Sequence, residues 1–396
     1  MNYTDRIARQ VAGIPRSGIR DFFELVLGRD DVISLGVGEP DYSAPWHIRE
    51  AAIYSLEKGQ TSYTSNLGLL SLRKSIAAYV AKHFSVAYNP ANEILVTVGV
   101  SEALDIACRA LLNPGDEVIY HEPCYVSYSP SIAMAHGVPV VAETRVEDNF
   151  ELKADAVAEK ITPRTKLLML NFPTNPTGAV QPAGELEKIA ALAIQHDLIV
   201  ISDEIYSELT YGGEDGMDRG EHTSIAGLPG MKERTILLHG FSKAFAMTGF
   251  RLGYACAPAE LTEAMMKIHQ YAMLCAPIMS QAAGIEALEH GDGPVEEMRR
   301  SYAQRRNLML RRFAEMGVPC FPPGGAFYAF PDVRKFGLTS KEFALRLLEE
   351  ESVAVVPGNA FGAAGEGLVR ACYATAFDRL EVALERIGNF VSRLKA

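Results

Sequence analysis

The chain has 396 residues, enough for two or three domains that each bury a core. With 48% hydrophobic and 22% charged residues, its composition excludes disorder as the main state. A formal net charge of −11 disfavours nucleic acid or an anionic membrane as chief partner, while small anions, which respond to local charge, stay open.

The first residues, MNYTDRIARQ, lack the apolar core of a signal peptide, and no later run is long enough for a membrane span. A cytoplasmic location is therefore expected. Residues 1–40 carry two short helix-like segments and are expected to pack on a C-terminal domain. Between about 90 and 260 short apolar runs alternate with amphipathic stretches. EILVTV leads into SEALDIACRALL, whose apolar positions Leu104, Ala107, Cys108, Leu111 and Leu112 share one helical face. VIY, GVPVVAE, KLLMLN, LIVIS, RTILLHG and RLGYACAP read as further strands. The fold class is thus α/β: a large domain, residues 41–290, with a mainly parallel seven-stranded sheet covered on both faces, and RLGYACAP as an antiparallel member. From about 291 to 396 a long charged helix leads into short strands (GGAFYAF, VAVVPG, LVRACYA) alternating with helices. This is expected to form a smaller α+β domain. Six cysteines show no C-x-x-C pair and nine histidines no metal spacing, so reduced thiols and no bound metal are expected.

Open parallel sheets bind ligands beyond the carboxyl ends of their strands. After EILVTV, Gly99-Val100-Ser101-Glu102 opens a helix whose N-terminus favours an anion, unless Ser101 is merely a cap. No G-x-G-x-x-G occurs, which argues against a dinucleotide. After KLLMLN comes the rigid loop FPTNPTG with Asn171 and Asn175, which could equally be a plain turn. After LIVIS stands Asp203, a carboxylate that needs a cation or N–H partner and could also serve a structural ion pair. GFSKAFAMTGFR then brings Lys243 into otherwise apolar company, with Arg251 suited to a bidentate phosphate contact. A lysine in an apolar pocket becomes a competent amine nucleophile toward an aldehyde. Phosphate, aldehyde and a ring nitrogen seeking a carboxylate together describe pyridoxal 5'-phosphate.

In order, LGVGEPDY, SYTSNLGLLSLR, NFPTNPTG, SDEIY, GFSKAFAMTGFRLGY, GGAFYAF, VVPGNAFG and VRACYA resemble the class I aminotransferases of fold type I, from about residue 30 to the end. They resemble most the archaeal-type aromatic aminotransferases and their general bacterial relatives. The resemblance implies roles by position. Lys243 would bind the cofactor aldehyde and later shuttle a proton. Asp203 would pair with the pyridine nitrogen, while Tyr206 and Asn175 would bond the ring's phenolic oxygen. Tyr125 would stack on the ring. Val100, Ser101 and Glu102, with Ser242 and Arg251, would hold the phosphate, joined by Tyr63 from a neighbouring subunit in a homodimer. Arg370, helped by the backbone of Gly38 and by Asn175, would clamp the substrate carboxylate. Tyr125 and Tyr63 could instead be ordinary packing aromatics. The expected activity is transfer of an amino group from an aromatic or broader set of L-amino acids to a 2-oxo acid, 2-oxoglutarate first.

Two departures qualify the resemblance. Many members carry serine where Gly240 stands, so a phosphate contact is lost or passed to Ser242. Some aspartate-specific relatives carry lysine where Ser101 stands, which argues against aspartate here. Aspartate or alanine transamination and a lyase of the same fold remain the alternatives. Regulators built on this fold need a fused DNA-binding module, for which forty N-terminal residues leave no expected room.

Overall fold

The computed structural model describes residues 3–394 other than 17, 20–23, 25 and 30. A short strand, β1 (Ile33–Ser34), precedes the seven strands that form the main sheet. These are β2 (Ile94–Thr97), β3 (Glu117–Glu122), β4 (Val138–Glu143), β5 (Thr165–Asn171), β6 (Ile199–Asp203), β7 (Thr235–Gly240) and β8 (Gly253–Cys256). Their order is β2-β8-β7-β6-β5-β3-β4. All pairs are parallel except those of β8, which runs antiparallel to both β2 and β7. The seven apolar runs and the single reversed strand are as the sequence led us to expect.

Alternation along a strand sends successive side chains to opposite faces. On β5, Leu167 and Met169 join a core with Leu104 and Cys108 of the helix Val100–Leu111, while Leu168 and Leu170 join another with Ile189 and Ala193 of the helix Ala183–Gln195. Both faces are thereby covered, which explains why the strands are apolar almost throughout.

Two helices, Ile278–His290 and Asp292–Glu315, meet at Gly291. Beyond them lie β9 (Tyr328–Ala329), β10 (Val353–Ala354), β11 (Val356–Pro357) and β12 (Val369–Cys372), with β12 antiparallel to β11 and β9. β1 pairs with β10, and Val32, Ile33 and Leu35 share a core with Leu347 and Phe390. Residues 33–35 thus meet the C-terminal part, whereas Gln10 reaches His136 beside the main sheet, 2.8 Å between Nε2 and Nδ1. The parts of the 1–40 segment at 1–2, 17, 20–23, 25 and 30 lie outside the described residues. No described helix is long and apolar enough to cross a membrane, and no described group of side chains could hold a metal ion.

Candidate active site

Because β2, β5, β6 and β7 run in the same direction, the segments leaving their carboxyl ends converge on one edge. There they line a cavity of about 690 Å³ together with residues from the N-terminal part and from β9 and β12. Gly99 leads β2 into its helix at φ +75°, and a Cβ there would lie 2.5 Å from Arg251 Nη2. Gly240 of β7 faces Gly253 of β8. A Cβ on Gly240 would meet Val100 Cγ2 at 2.9 Å, and one on Gly253 would meet the Val100 nitrogen at 2.6 Å. A side chain at 240 would therefore press on Val100, the first residue of the helix, and on the Gly253 backbone.

Val100, Ser101, Ser242 and Arg251 all line the cavity. Glu102, whose backbone the resemblance places beside the phosphate, does not line it, and its side chain is turned elsewhere. Its Oε2 accepts the Val98 N–H at 2.5 Å, Oε1 lies 2.6 Å from His269 Nδ1, and its own N–H is spent on the Gly99 carbonyl. Tyr63 is 82% exposed and lies outside this cavity, beside Tyr54, Gln60 and Ile278 in a separate surface hollow.

Asp203 closes β6 and is buried. Tyr128 Oη donates to its Oδ2 at 2.7 Å and Ile205 N–H to its Oδ1 at 3.3 Å. Burial pushes the Asp203 carboxyl up to about 6, against the lowering effect of the Tyr128 bond. Asn171 ties the neighbouring loop down, donating through Nδ2 to the Asp203 carbonyl and accepting Asn175 N–H at Oδ1. Lys243 Nζ donates to the Gly38 carbonyl at 2.6 Å and sits 5.9 and 5.8 Å from the ring centres of Tyr206 and Phe327. Desolvation, aided by the Arg370 charge, brings its amine down to about 8, so a useful fraction is neutral near physiological pH. Tyr125 lines the cavity and meets Tyr128 edge-on at 5.7 Å.

Arg370, on β12, is only 2% exposed. Its Nη1 donates to Asn175 Oδ1 at 2.8 Å and its Nη2 to the Gly36 carbonyl at 2.6 Å, with Tyr328 and Phe361 rings 4.5 and 4.9 Å away. Its buried Nε has no partner, and no carboxylate pairs with it among the described residues. A guanidinium held this way is costly unless an anion from outside completes it. Tyr206 Oη bonds Tyr328 Oη at 2.7 Å, so Tyr206 and Asn175 here contact protein partners. Tyr128 and Tyr328 are site residues that sequence reasoning passed over, although EPCYVSY and GGAFYAF contain them.

The family described as aminotransferase class I and II matches residues 30–387. The chain belongs to this family. Among relatives of these aminotransferases, the chain is 47% identical to an aspartate aminotransferase of Pyrococcus abyssi over 96% of both chains. It is 44% identical to aromatic-amino-acid aminotransferase 2 of Thermococcus litoralis, again over 96% of each. A solved structure of an aromatic aminotransferase from Pyrococcus horikoshii superposes with a TM-score of 0.89 at 46% identity, covering 95% of this chain and 99% of that one. Class I aminotransferases depend on pyridoxal 5'-phosphate, and the residues present fit it. The helix N-terminus and Arg251 suit its phosphate, Lys243 its aldehyde and the buried Asp203 its ring nitrogen, and Arg370 lines the same cavity. This protein is a pyridoxal-phosphate-dependent aminotransferase acting on amino acids and 2-oxo acids.

Proposed function

We propose that this aminotransferase takes an L-amino acid with an aromatic or otherwise uncharged side chain and passes its nitrogen, by a ping-pong course, to a 2-oxo acid. 2-Oxoglutarate is the proposed acceptor. The observation that carries the reading is the charge inventory of the cavity. Among the described residues its lining holds three cations, Lys243, Arg251 and Arg370. The first is committed to the cofactor aldehyde, the second to phosphate and the third to the α-carboxylate. None is dedicated to the short side chain of an aspartate donor, which Glu39 would also oppose, whereas the longer 2-oxoglutarate would share one of these cations by rearranged contacts. Ile19, Val37, Tyr125 and Val126 supply apolar wall instead.

Bound pyridoxal phosphate supplies an electron sink for the substrate carbon that loses its proton. Arg370, steadied by Asn175 and the Gly36 carbonyl, would fix the carboxylate and so the direction of the Cα–H bond. Lys243 would anchor the cofactor and then, as a neutral amine, move that proton. Asp203 would stabilise positive charge on the ring nitrogen, with Tyr125 stacked on the ring and Tyr206 and Asn175 at its phenolic oxygen. The test is a panel of donors against 2-oxoglutarate. Phenylalanine and tyrosine are expected to exceed aspartate in kcat/KM by about tenfold or more, since an unread carboxylate is penalised by desolvation. A preference for aspartate would overturn the reading. Pyruvate and ammonia formed without an acceptor would instead reveal a lyase.

We further propose a two-fold dimer in which Tyr63 serves the partner's phosphate site. Tyr63 shares a surface hollow with Tyr54, and both rings are exposed, as an interface between copies would need. Sedimentation should show a dimer at assay concentrations, and full activity from a monomer at high dilution would contradict it. Within each subunit, residues 41–290 would form the large cofactor domain and 291–396 a smaller C-terminal domain. The six free thiols suit the cytoplasm.

A further inference from the structure

Glu102 is an acid in the first turn of the helix whose N-terminus is proposed to receive a phosphate. A carboxylate pointing into that space would repel the anion. The structure turns it away and uses it as a brace: Oε2 accepts the Val98 N–H at 2.5 Å and Oε1 sits 2.6 Å from His269 Nδ1, both side chains being buried.

His269 comes from the helix Ala259–Ala272, which packs against the helix Val100–Leu111. Its carbonyl accepts the N–H groups of Met273 and Leu274, so the residue itself is well anchored. Nε2 is buried without a partner among the described residues. The tautomer with its proton on Nδ1 suits these surroundings: it donates to Glu102 and leaves only a lone pair unsatisfied, where the alternative would bury an unpaired N–H. On the loop side, Gly99 N–H bonds the Thr97 carbonyl at 2.9 Å, and the Gly99 carbonyl accepts from Thr97 Oγ1 at 3.0 Å and Glu102 N–H at 3.2 Å. With Val98 N–H held by Glu102, the turn is tied at each step. The next N–H groups, of Val100 and Ser101, head the helix and have no intrahelical acceptor.

We infer that His269 is a positioning residue for the cofactor's phosphate: through Nδ1 it holds Glu102, and Glu102 holds the Val98–Ser101 turn so that Val100 and Ser101 N–H groups face the cavity. This rests on the proposed phosphate role of that helix end. Losing His269 frees a carboxylate beside the anion and loosens the turn at once.

The experiment titrates the apoenzyme with pyridoxal phosphate and, separately, with pyridoxal, which lacks the phosphate. In His269→Leu, pyridoxal phosphate should bind about tenfold or more weaker, the size of one hydrogen bond to a charged group, with pyridoxal changed by less than about twofold. His269→Asn, whose amide nitrogen can stand in for Nδ1, should restore affinity, while His269→Gln, whose amide reaches toward the Nε2 position, should not. The pair Glu102→Ala and His269→Leu should cost no more together than Glu102→Ala alone. Equal weakening of both ligands, unchanged binding, equal behaviour of the Asn and Gln variants, or full additivity would each overturn the inference. If the wild-type apoenzyme itself does not distinguish pyridoxal phosphate from pyridoxal, the phosphate reading fails first and takes this inference with it. Should the leucine variant not fold, the Asn and Gln comparison alone decides.

Discussion

Lys243→Ala is expected to abolish transamination while leaving the fold intact. The amine is the one lysine lining the cavity among the described residues, and the structure charges for keeping it there: burial takes it from an ordinary lysine value down to about 8. Removing a desolvated amine relieves that cost, so the variant's thermal midpoint should stay level or rise. Turnover is another matter, because loss of the proton-moving group alone is worth roughly 10²–10⁴-fold, and loss of the attachment point adds to it. Borohydride treatment of the loaded wild-type enzyme should fix the cofactor on the peptide containing residue 243. The pH dependence has a definite sign. A lowered amine pKa means that the neutral, nucleophilic form is gained as pH rises through about 8 instead of the ordinary lysine range. Labelling of apoenzyme Lys243 by an amine-directed reagent should therefore climb between about pH 7 and 9. Wild-type turnover by Lys243→Ala, or a label on a different peptide, would remove the basis for every role assigned above.

Much of this arrangement is written in local sequence. The seven strands are legible because their residues are buried on both faces and so read as unbroken apolar runs. Asn175, Asp203 and Lys243 are legible because each follows such a run directly, where a parallel sheet opens to ligands. What stays hidden depends on partners far away in the chain. That the Glu102 side chain ends on His269, 167 positions on, is not legible in the sequence. Gly240 reads as a missing serine until Gly253 and Val100 close over it. Tyr128 is an intermediate case. It lies three residues after Tyr125, yet only the fold shows that its hydroxyl ends on Asp203. Tyr63 illustrates the reverse limit, since a residue that would complete a neighbour's site is found on the surface of its own subunit.

Asp203→Asn is expected to cripple turnover far more than cofactor binding. The substitution is nearly isosteric, and its new amide has a place: the Tyr128 hydroxyl can turn from donor to acceptor, and Ile205 N–H keeps an oxygen to bond. What is lost is charge. With the carboxyl held up to about 6 by burial, Asp203 is an anion at pH 7 only by a modest margin, and a cationic ring nitrogen beside it would widen that margin. An amide cannot stabilise that cation, so the electron sink weakens at the step where the substrate proton departs. Removing one preorganised electrostatic contact of this kind costs roughly 10²–10³-fold in kcat. Binding of pyridoxal phosphate, shared with the helix N-terminus, Arg251 and Lys243, should weaken by about tenfold, the scale of one charged hydrogen bond. Because the variant has no carboxyl at 203 to titrate, any limb of the wild-type kcat profile that falls as this group takes up a proton should flatten in the variant. Stopped-flow measurement of half-reactions with phenylalanine, set beside cofactor titrations, separates the two quantities. Equal losses in both would recast Asp203 as a cofactor anchor, and a kinetically normal variant would place the electron sink's control elsewhere in the cavity.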